Sequence, residues 1–299
     1  MNSRQLQYAI LLSEVKNFSQ VAEKLNISQP ALSKQILSLE NELGIKLFDR
    51  STTPLTLTPA GQHFIREAQE LLFKEDQLLR SLEQFKSGEA GQLVIGTTPF
   101  RSSYLIPAIM KDFRKAYPHI RLTLHEAGVD VLRKEAAEGK FDFAVVNLPV
   151  DEANLNVSPL QPDRLVLVVP NRLTHLIPNV QQLQEVTFDL CKALPFATVH
   201  PAQEMRRLLE KLCATYGFHP QIAAEVVGLN TAWAVVNAGV AATILPAQFV
   251  SCQPENSELT ILPVKDAVSI RQPAIITRKG QYISAPAQFA MDLLINHAK

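Results

Sequence analysis

Thr58 and Pro59 open a helix that nothing in the pattern stops before about Lys86. Threonine caps a helix well, and proline is tolerated in a first turn because its missing N–H would have had no partner there. Apolar residues then recur at Phe64, Ala68, Leu71, Leu78, Leu82 and Phe85, in steps of four and three, with Glu75 filling the vacant position. This is a heptad-like seam. At 1.5 Å per residue the helix spans ~40 Å, and no neighbouring segment of sequence is built to cover such a stripe. The spacing therefore predicts an arm over 59–88 that pairs with a second chain through Phe64, Leu71, Leu78 and Leu82, the alternative being packing against its own domain. Ser87, Gly88, Glu89, Ala90 and Gly91 read as a hinge. The arm divides 299 residues into a small head before it and a larger region after it, in line with about two domains.

The head, 1–58, is a run of short helical signals. Ser3 is placed to cap a helix carrying Leu6, Ile10 and Leu11. Ser19 is placed to cap a short second helix, Gln20 to Leu25, with Asn26 as its left-handed stop. Ser28 caps a third helix that accepts Pro30 in its first turn and ends at Gly44. Leu32, Ile36, Leu39 and Leu43 lie on one face of that helix. Pro30, Lys34 and Asn41 point the other way, with Ser33 on the flank. A helix that enters the major groove needs small polar groups and a cation on its outer face, because these reach base edges and phosphates where bulky hydrophobes do not fit. Two short β-like runs follow, Leu47 to Arg50 and Leu55 to Leu57, joined through Ser51 to Pro54. Two helices with a tight turn and then a hairpin make a winged helix-turn-helix, with Arg50 at the start of the wing. The alternative is a small helical bundle with Lys34 as a solvated charge.

The segment Asn17 to Gly61, NFSQVAEKLNISQPALSKQILSLENELGIKLFDRSTTPLTLTPAG, closely resembles the winged helix-turn-helix of LysR-type transcriptional regulators. Its Phe-Ser-x-x-Ala, Ser-Gln-Pro-Ala-Leu-Ser, Leu-Glu-x-x-Leu-Gly, Leu-Phe-x-Arg and Leu-Thr-x-x-Gly elements stand in the family's order and spacing. The resemblance implies DNA contacts from Ser28, Gln29, Pro30, Ser33, Lys34 and Arg50. Lys34 stands where the family often has arginine, which disfavours a bidentate guanine contact, and the wing is less basic than in many relatives. It further implies arms that pair antiparallel, a homodimer or homotetramer on a dyad-symmetric operator of double-stranded DNA, and RNA polymerase as a partner if the protein activates. Two heads answer a shortage of charge. Lys+Arg and Asp+Glu number 29 each, so bulk charge cannot hold DNA, whereas linked heads double the phosphate contacts.

From Gln92 the pattern changes to alternating strands and helices, which reads as α/β with mostly parallel sheets. Strands are expected at Leu93–Gly96, Ile120–Glu126, Phe141–Val146, Leu165–Val169, Phe196–Val199, Ile222–Glu225 and Val240–Leu245. Helices are expected at Ser102–Tyr117, Val129–Glu138, a segment ending at Tyr216, and Asn230–Ala238. Ligands of open α/β folds bind beyond the carboxyl ends of strands. Thr97, Thr98, Phe100, Arg101, Ser102 and Ser103 stand there, offering free amides, hydroxyls and a guanidinium to an anion such as a carboxylate. Plain N-capping, with Arg101 in solvent, is the alternative. The family resemblance implies an effector domain over 92–299 like a periplasmic binding protein, with subdomain I at 92–161 and 269–299 and subdomain II at 162–268. The small-molecule effector would lie in the cleft near Gly128, His200 and Gly228. Ala241 departs from a late Gly-x-Gly pattern.

Other chemistry finds little footing. No GxSxG, HExxH or P-loop occurs, so the chain is read as no enzyme, with no catalytic residue, metal or cofactor. Cys191, Cys213 and Cys252 form no metal or disulfide pattern, though a redox-sensing role for Cys191 or Cys213 stays open. A solute-binding protein would share the α/β region but need an export signal and no DNA head. Val226 to Pro254 carries no charge, yet its polar residues, Gly239 and two prolines make it a buried helix, turn and strand instead of a membrane span. A cytoplasmic regulator with no membrane partner fits these readings.

Overall fold

A computed structural model describes residues 1–52, 54–87, 91–150 and 153–297. Gly88, Glu89 and Ala90 of the expected hinge and Thr53 of the wing lie outside the described residues, as does the side chain of Phe85. The chain forms two units, Met1–Gly88 and Glu89–Lys299.

In the first unit α1 (Ser3–Val15), α2 (Phe18–Lys24) and α3 (Gln29–Leu43) precede a hairpin, β1 (Phe48–Asp49) with β2 (Thr56–Leu57), and then α4 (Pro59–Ser87). The caps are asparagines where serines were expected. Asn2 caps α1 in a reciprocal box with Gln5, and the Asn17 side chain accepts the Ser19 and Gln20 amides, so α2 starts at Phe18. Asparagine reaches the same donors one or two residues earlier than Ser3 or Ser19. Asn26 does turn left-handed, Ser28 caps α3, and Gly44 ends it at φ 68°. Leu32, Ile36 and Leu39 enter a core with Ala9, Leu12, Val21, Leu47 and Phe48. Leu43 is instead exposed, because the last turn overshoots that core, and Glu40 is the buried residue of that turn.

Thr58 caps α4 by accepting the Gly61 amide at 2.9 Å while donating to the Lys46 carbonyl at 2.8 Å. The seam on α4 divides. Ile65 and Ala68 are buried and Phe64 packs against the same head core, since α1 lies along this half of the helix and Ser3 donates to Glu75. Phe64, which the spacing puts in the dimer seam, is half-buried and packs partly against the core of its own head. Beyond it, Leu71, Leu78, Leu79 and Leu82 are each about half exposed.

Among the described residues the second unit holds two main sheets, of five and four strands, and a two-stranded pair, with no strand in common. Five strands run in the order β4-β3-β5-β13-β6: β3 (Gly91–Thr97), β4 (Ile120–Glu126), β5 (Phe143–Asn147), β6 (Leu155–Pro159) and β13 (Pro273–Arg278). Side chains alternate across this sheet. Phe143, Val145 and Ile275 face α5 (Pro99–Ala116) and α10 (Ala285–His297), whereas Ala144, Val146 and Ile276 face α6 (Val129–Ala137). Covered on both faces, β5 is buried throughout, which explains its unbroken apolar run.

The other sheet is built on β7 (Asp163–Pro170), flanked by β10 (Thr243–Pro246) and β11 (Leu259–Pro263) and joined at its start by β12 (Ile270–Arg271). A parallel pair, β8 (Pro195–Val199) and β9 (Gln221–Val226), completes this half with α7 (Glu204–Thr215), α8 (Leu229–Asn237) and α9 (Ala247–Ser251). The expectation of mostly parallel sheets is corrected. β3–β4, β3–β5 and β8–β9 are parallel, while β13 runs antiparallel to β5 and β6, and β7 antiparallel to β10, β11 and β12. β13 is the strand on which the chain returns to the five-stranded sheet, and it enters against the direction of both its neighbours. The crossings fall at Leu160–Asp163 and Arg271–Pro273, beside the expected Gln161 and Ser269. The uncharged stretch folds as α8, a turn at Gly239 and β10, and no described helix is long and apolar enough to cross a membrane.

Candidate DNA-reading and effector sites

The outer face of α3 begins at its cap. The Ser28 side chain accepts the Ala31 amide at 3.3 Å, Gln29, Pro30 and Lys34 are exposed, and Ser33 is half-buried. With Leu32 and Ile36 holding the opposite face in the core, these polar groups stand together on the first two turns. Arg50 is not loose on the wing. Its Nη2 donates to Glu40 Oε2 at 3.1 Å, and its guanidinium lies 5.4 Å from the centre of the Phe18 ring. Glu40 enters the sequence reading only as the glutamate of the Leu-Glu-x-x-Leu-Gly element, with no role given to it. The available signal was its position four residues after Ile36, inside the apolar stripe.

In the second unit the carboxyl ends of β3, β4, β8 and β9 lead into α5, α6, α7 and α8. Thr97 ends β3, is fully buried, and its hydroxyl has no hydrogen-bond partner. Thr98 caps α5 by accepting the Arg101 amide at 3.4 Å. Phe100 is drawn into an aromatic cluster with Tyr104 and Phe249, at 5.5 and 4.6 Å between ring centres. Ser102 donates to the Pro99 carbonyl and to Glu126. Ser103 bonds its own helix at the Phe100 carbonyl. Gly128 and Gly228 begin α6 and α8 with open space where a Cβ would stand, and His200 is exposed, its Nδ1 accepting the Ala202 amide.

Arg101 departs from the expected picture of a cation offered to ligand or solvent. It is 4% exposed and donates to the Val145 carbonyl and to Asn147 Oδ1. The Asn147 amide in turn donates to both oxygens of Glu204, at 2.8 and 3.0 Å. Arg101 and Asn147 belong to the first sheet's half and Glu204 opens α7 in the other, so this chain of bonds ties the two halves together. Beside it, where the chain crosses, Asp163 and Arg271 are both buried. Arg271 donates to the Met205 sulfur at 2.9 Å and its Nε has no partner. Burial lowers the Arg101 pKa, with Arg271 nearby adding to the effect, and burial raises that of Asp163 against the pull of Arg271. Charge at this junction is therefore costly and mutually dependent. A separate hollow of about 380 Å3, lined by Met110, Arg114, His119, Arg121 and Leu122, lies at the opposite ends of α5 and β4.

Cys191 and Cys213 are free and buried. Burial pushes the Cys191 and Cys213 thiols up to about 12, whereas a reactive cysteine needs its thiolate favoured. Cys252 is exposed.

Comparison with known proteins places this arrangement. Residues 3–62 match the model of the bacterial regulatory helix-turn-helix protein, lysR family, and residues 86–299 match the LysR substrate binding domain. The chain is 32% identical over 306 residues, covering 98% of it and 94% of the relative, to an uncharacterized HTH-type transcriptional regulator, YcgK, of Bacillus subtilis (strain 168). A cysteine variant of full-length OxyR from Pseudomonas aeruginosa has the same fold, with TM-score 0.67 at 23% identity over 100% of this chain and 94% of that one. Full-length CbnR complexed with its target DNA gives 0.59 at 20% identity over 100% of both chains. With the head, the arm and the two-sheet domain matched in one chain, the protein belongs to the LysR family of bacterial transcriptional regulators, DNA-binding proteins with an effector-binding domain.

Proposed function

We propose that this regulator reads a dyad-symmetric operator with the first two turns of α3, as a dimer or a dimer of dimers joined through α4, and that a small molecule bound where its two sheets meet sets the outcome. Gln29 and Lys34 are the base- and phosphate-reaching side chains, with Ser28, Pro30 and Ser33 shaping the helix end and Arg50 touching the backbone from the wing. Replacing Lys34 or Gln29 with alanine weakens binding to a duplex selected from a random pool by the wild-type protein, by about tenfold for each base-reading side chain removed, and leaves sedimentation unchanged. An unchanged footprint rejects this face.

The observation that carries the effector reading is the Thr97 hydroxyl, buried without a partner where β3 meets α5. A buried hydroxyl is expected to be bonded, and a ligand oxygen would supply the bond, with the first-turn amides of α5 beside it. Glu126, at the end of β4, accepts Ser102 of α5, and Glu204 opens α7, so the molecule that fits carries a hydroxyl or ammonium as well as an acidic oxygen. Arg101 acts from beneath, by holding Asn147, and Gly128, His200 and Gly228 border the space. A ligand at a hundred times its dissociation constant adds about 2.7 kcal/mol to the folded state. Thermal melting of the full chain against hydroxy acids, amino acids, plain acids and neutral metabolites should pick out the first two groups, and Thr97→Val should lose most of the shift. A shift kept in full by Thr97→Val, or given by neutral compounds alone, rejects the site.

A further inference from the structure

Glu40 is a carboxylate 6% exposed in the middle of a hydrophobic head. An ionised carboxyl there is tolerated only if its oxygens are bonded, and the two oxygens divide the work. Oε1 accepts the backbone amides of Leu47 and Phe48, at 2.8 and 3.1 Å, where the chain leaves α3 for the wing. Oε2 accepts Arg50 Nη2 at 3.1 Å. The first pair fixes the backbone. The second bond fixes a side chain that is itself 41% exposed and whose guanidinium also rests near the Phe18 ring. A guanidinium has five N–H donors in a planar fork. Glu40 takes one edge and Phe18 lies under one face, which leaves the outward donors in a set direction. An arginine on an unrestrained wing would give up rotamer freedom on meeting a phosphate. Here that loss is taken on folding.

We infer that Glu40 is a positioning residue for DNA, acting through Arg50: it aims the guanidinium from α3 so that the outward donors meet a backbone phosphate beside the groove that α3 enters. The inference rests on Arg50 touching DNA, as proposed above. It opposes the simplest electrostatic expectation, in which a carboxylate 3.1 Å from the cation only cancels its charge and its removal strengthens binding. Because Glu40 is buried and Arg50 is not, the phosphate would meet the guanidinium and not the carboxylate.

Glu40→Gln separates the two roles. The amide oxygen can keep both backbone bonds, while the amide nitrogen faces Arg50 as donor to donor. Binding is measured by fluorescence anisotropy, on the full chain and the duplex selected by the wild type, from 50 to 300 mM salt. The expected result for E40Q is roughly a three- to tenfold loss at low salt and a fall of about one per head in the slope of log K against log salt. Neither change should recur when E40Q is added to Arg50→Ala. A merely structural role would lower the melting temperature and leave the slope alone. A slope that stays or steepens with E40Q, while R50A lowers it, overturns the positioning role and keeps the Arg50 contact. If R50A itself leaves the slope unchanged, both are overturned. Should E40Q fail to fold, Phe18→Leu removes the ring and keeps every Glu40 bond. A twofold or greater loss that is absent in the R50A background then supports the inference, and no loss overturns it.

Discussion

With Leu71 and Leu82 both replaced by asparagine, sedimentation at micromolar concentration should show monomers. Both leucines are about half exposed on the far half of α4, past the point where the helix leaves the head core. In a two-fold pairing each counts twice. Full burial of a leucine is worth about 1.5–3 kcal/mol, so four that still have about half of their surface to bury weaken the dimer by about 3–6 kcal/mol, roughly two to four orders of magnitude. The head should stay folded, because Ile65 and Ala68 are untouched, and its amide protection should match the wild type. DNA affinity should fall by 10²–10⁴, the advantage that linkage gives to two weak heads. A dimer that survives the double substitution would mean that the arm does not hold it.

Gly61→Ala should cost more than any other single methyl in the head. Gly61 is in the first turn of α4, and a Cβ built there stands 2.0 Å from the Leu47 carbonyl oxygen and 2.9 Å from its carbon. The obstacle is backbone, so no side-chain rotation relieves it. The same carbonyl accepts the Thr58 amide, and Leu47 donates to Glu40, so a shift of this strand loosens the helix cap and the wing together. Overpacking a good core costs about 1–3 kcal/mol. A backbone clash at this range belongs at the upper end or above, which in a unit of this size lowers its melting temperature by ~10–20 °C. The second unit should melt as before. A head melting within about 2 °C of wild type, the scale of a few tenths of a kcal/mol, would show that the approach of α4 to Leu47 can relax.

What pattern and propensity revealed, and where they stopped, follows from their physics. Periodicity located α3, α4 and the buried helix-turn-strand after Val226, since each shows one wet and one dry face or none wet at all. It missed that Phe64 and Leu71 have different surroundings, because a stripe carries no record of where α1 ends alongside it. Asn2 and Asn17 displaced Ser3 and Ser19 as caps because both residue types suit the position and only geometry decides. Near Arg101 a helix does begin, but the guanidinium is buried where the pattern offers it to a ligand or to solvent. A helix start with hydroxyls and a guanidinium looks the same on paper whether the cation faces solvent or lies under Asn147. Strands β6, β11, β12 and β13 were not placed at all. Their partners lie far along the chain: β11 pairs with β7, and β13 pairs Ala274 with Val146 and with Pro159, and such distant pairings leave no local trace. The glycine of Leu-Thr-x-x-Gly was noticed as a family mark. Its cause, a carbonyl 2.0 Å from the missing Cβ, needed coordinates.

The two crossings between the sheets lie side by side. Asp163 pairs with Arg271, the Leu160 amide donates to the Pro273 carbonyl at 2.8 Å, and the Gln272 side chain donates to the Leu160 carbonyl. Everything between Asp163 and Arg271 therefore enters and leaves the first sheet's half through one doorway. A stretch of gene with both ends at one doorway can be exchanged as a cassette, because the flanking strands need no new length to rejoin. Descent within such a family then has a ready unit of recombination: one half of the effector-binding domain can be traded between relatives in a single event, leaving the DNA-binding head unchanged.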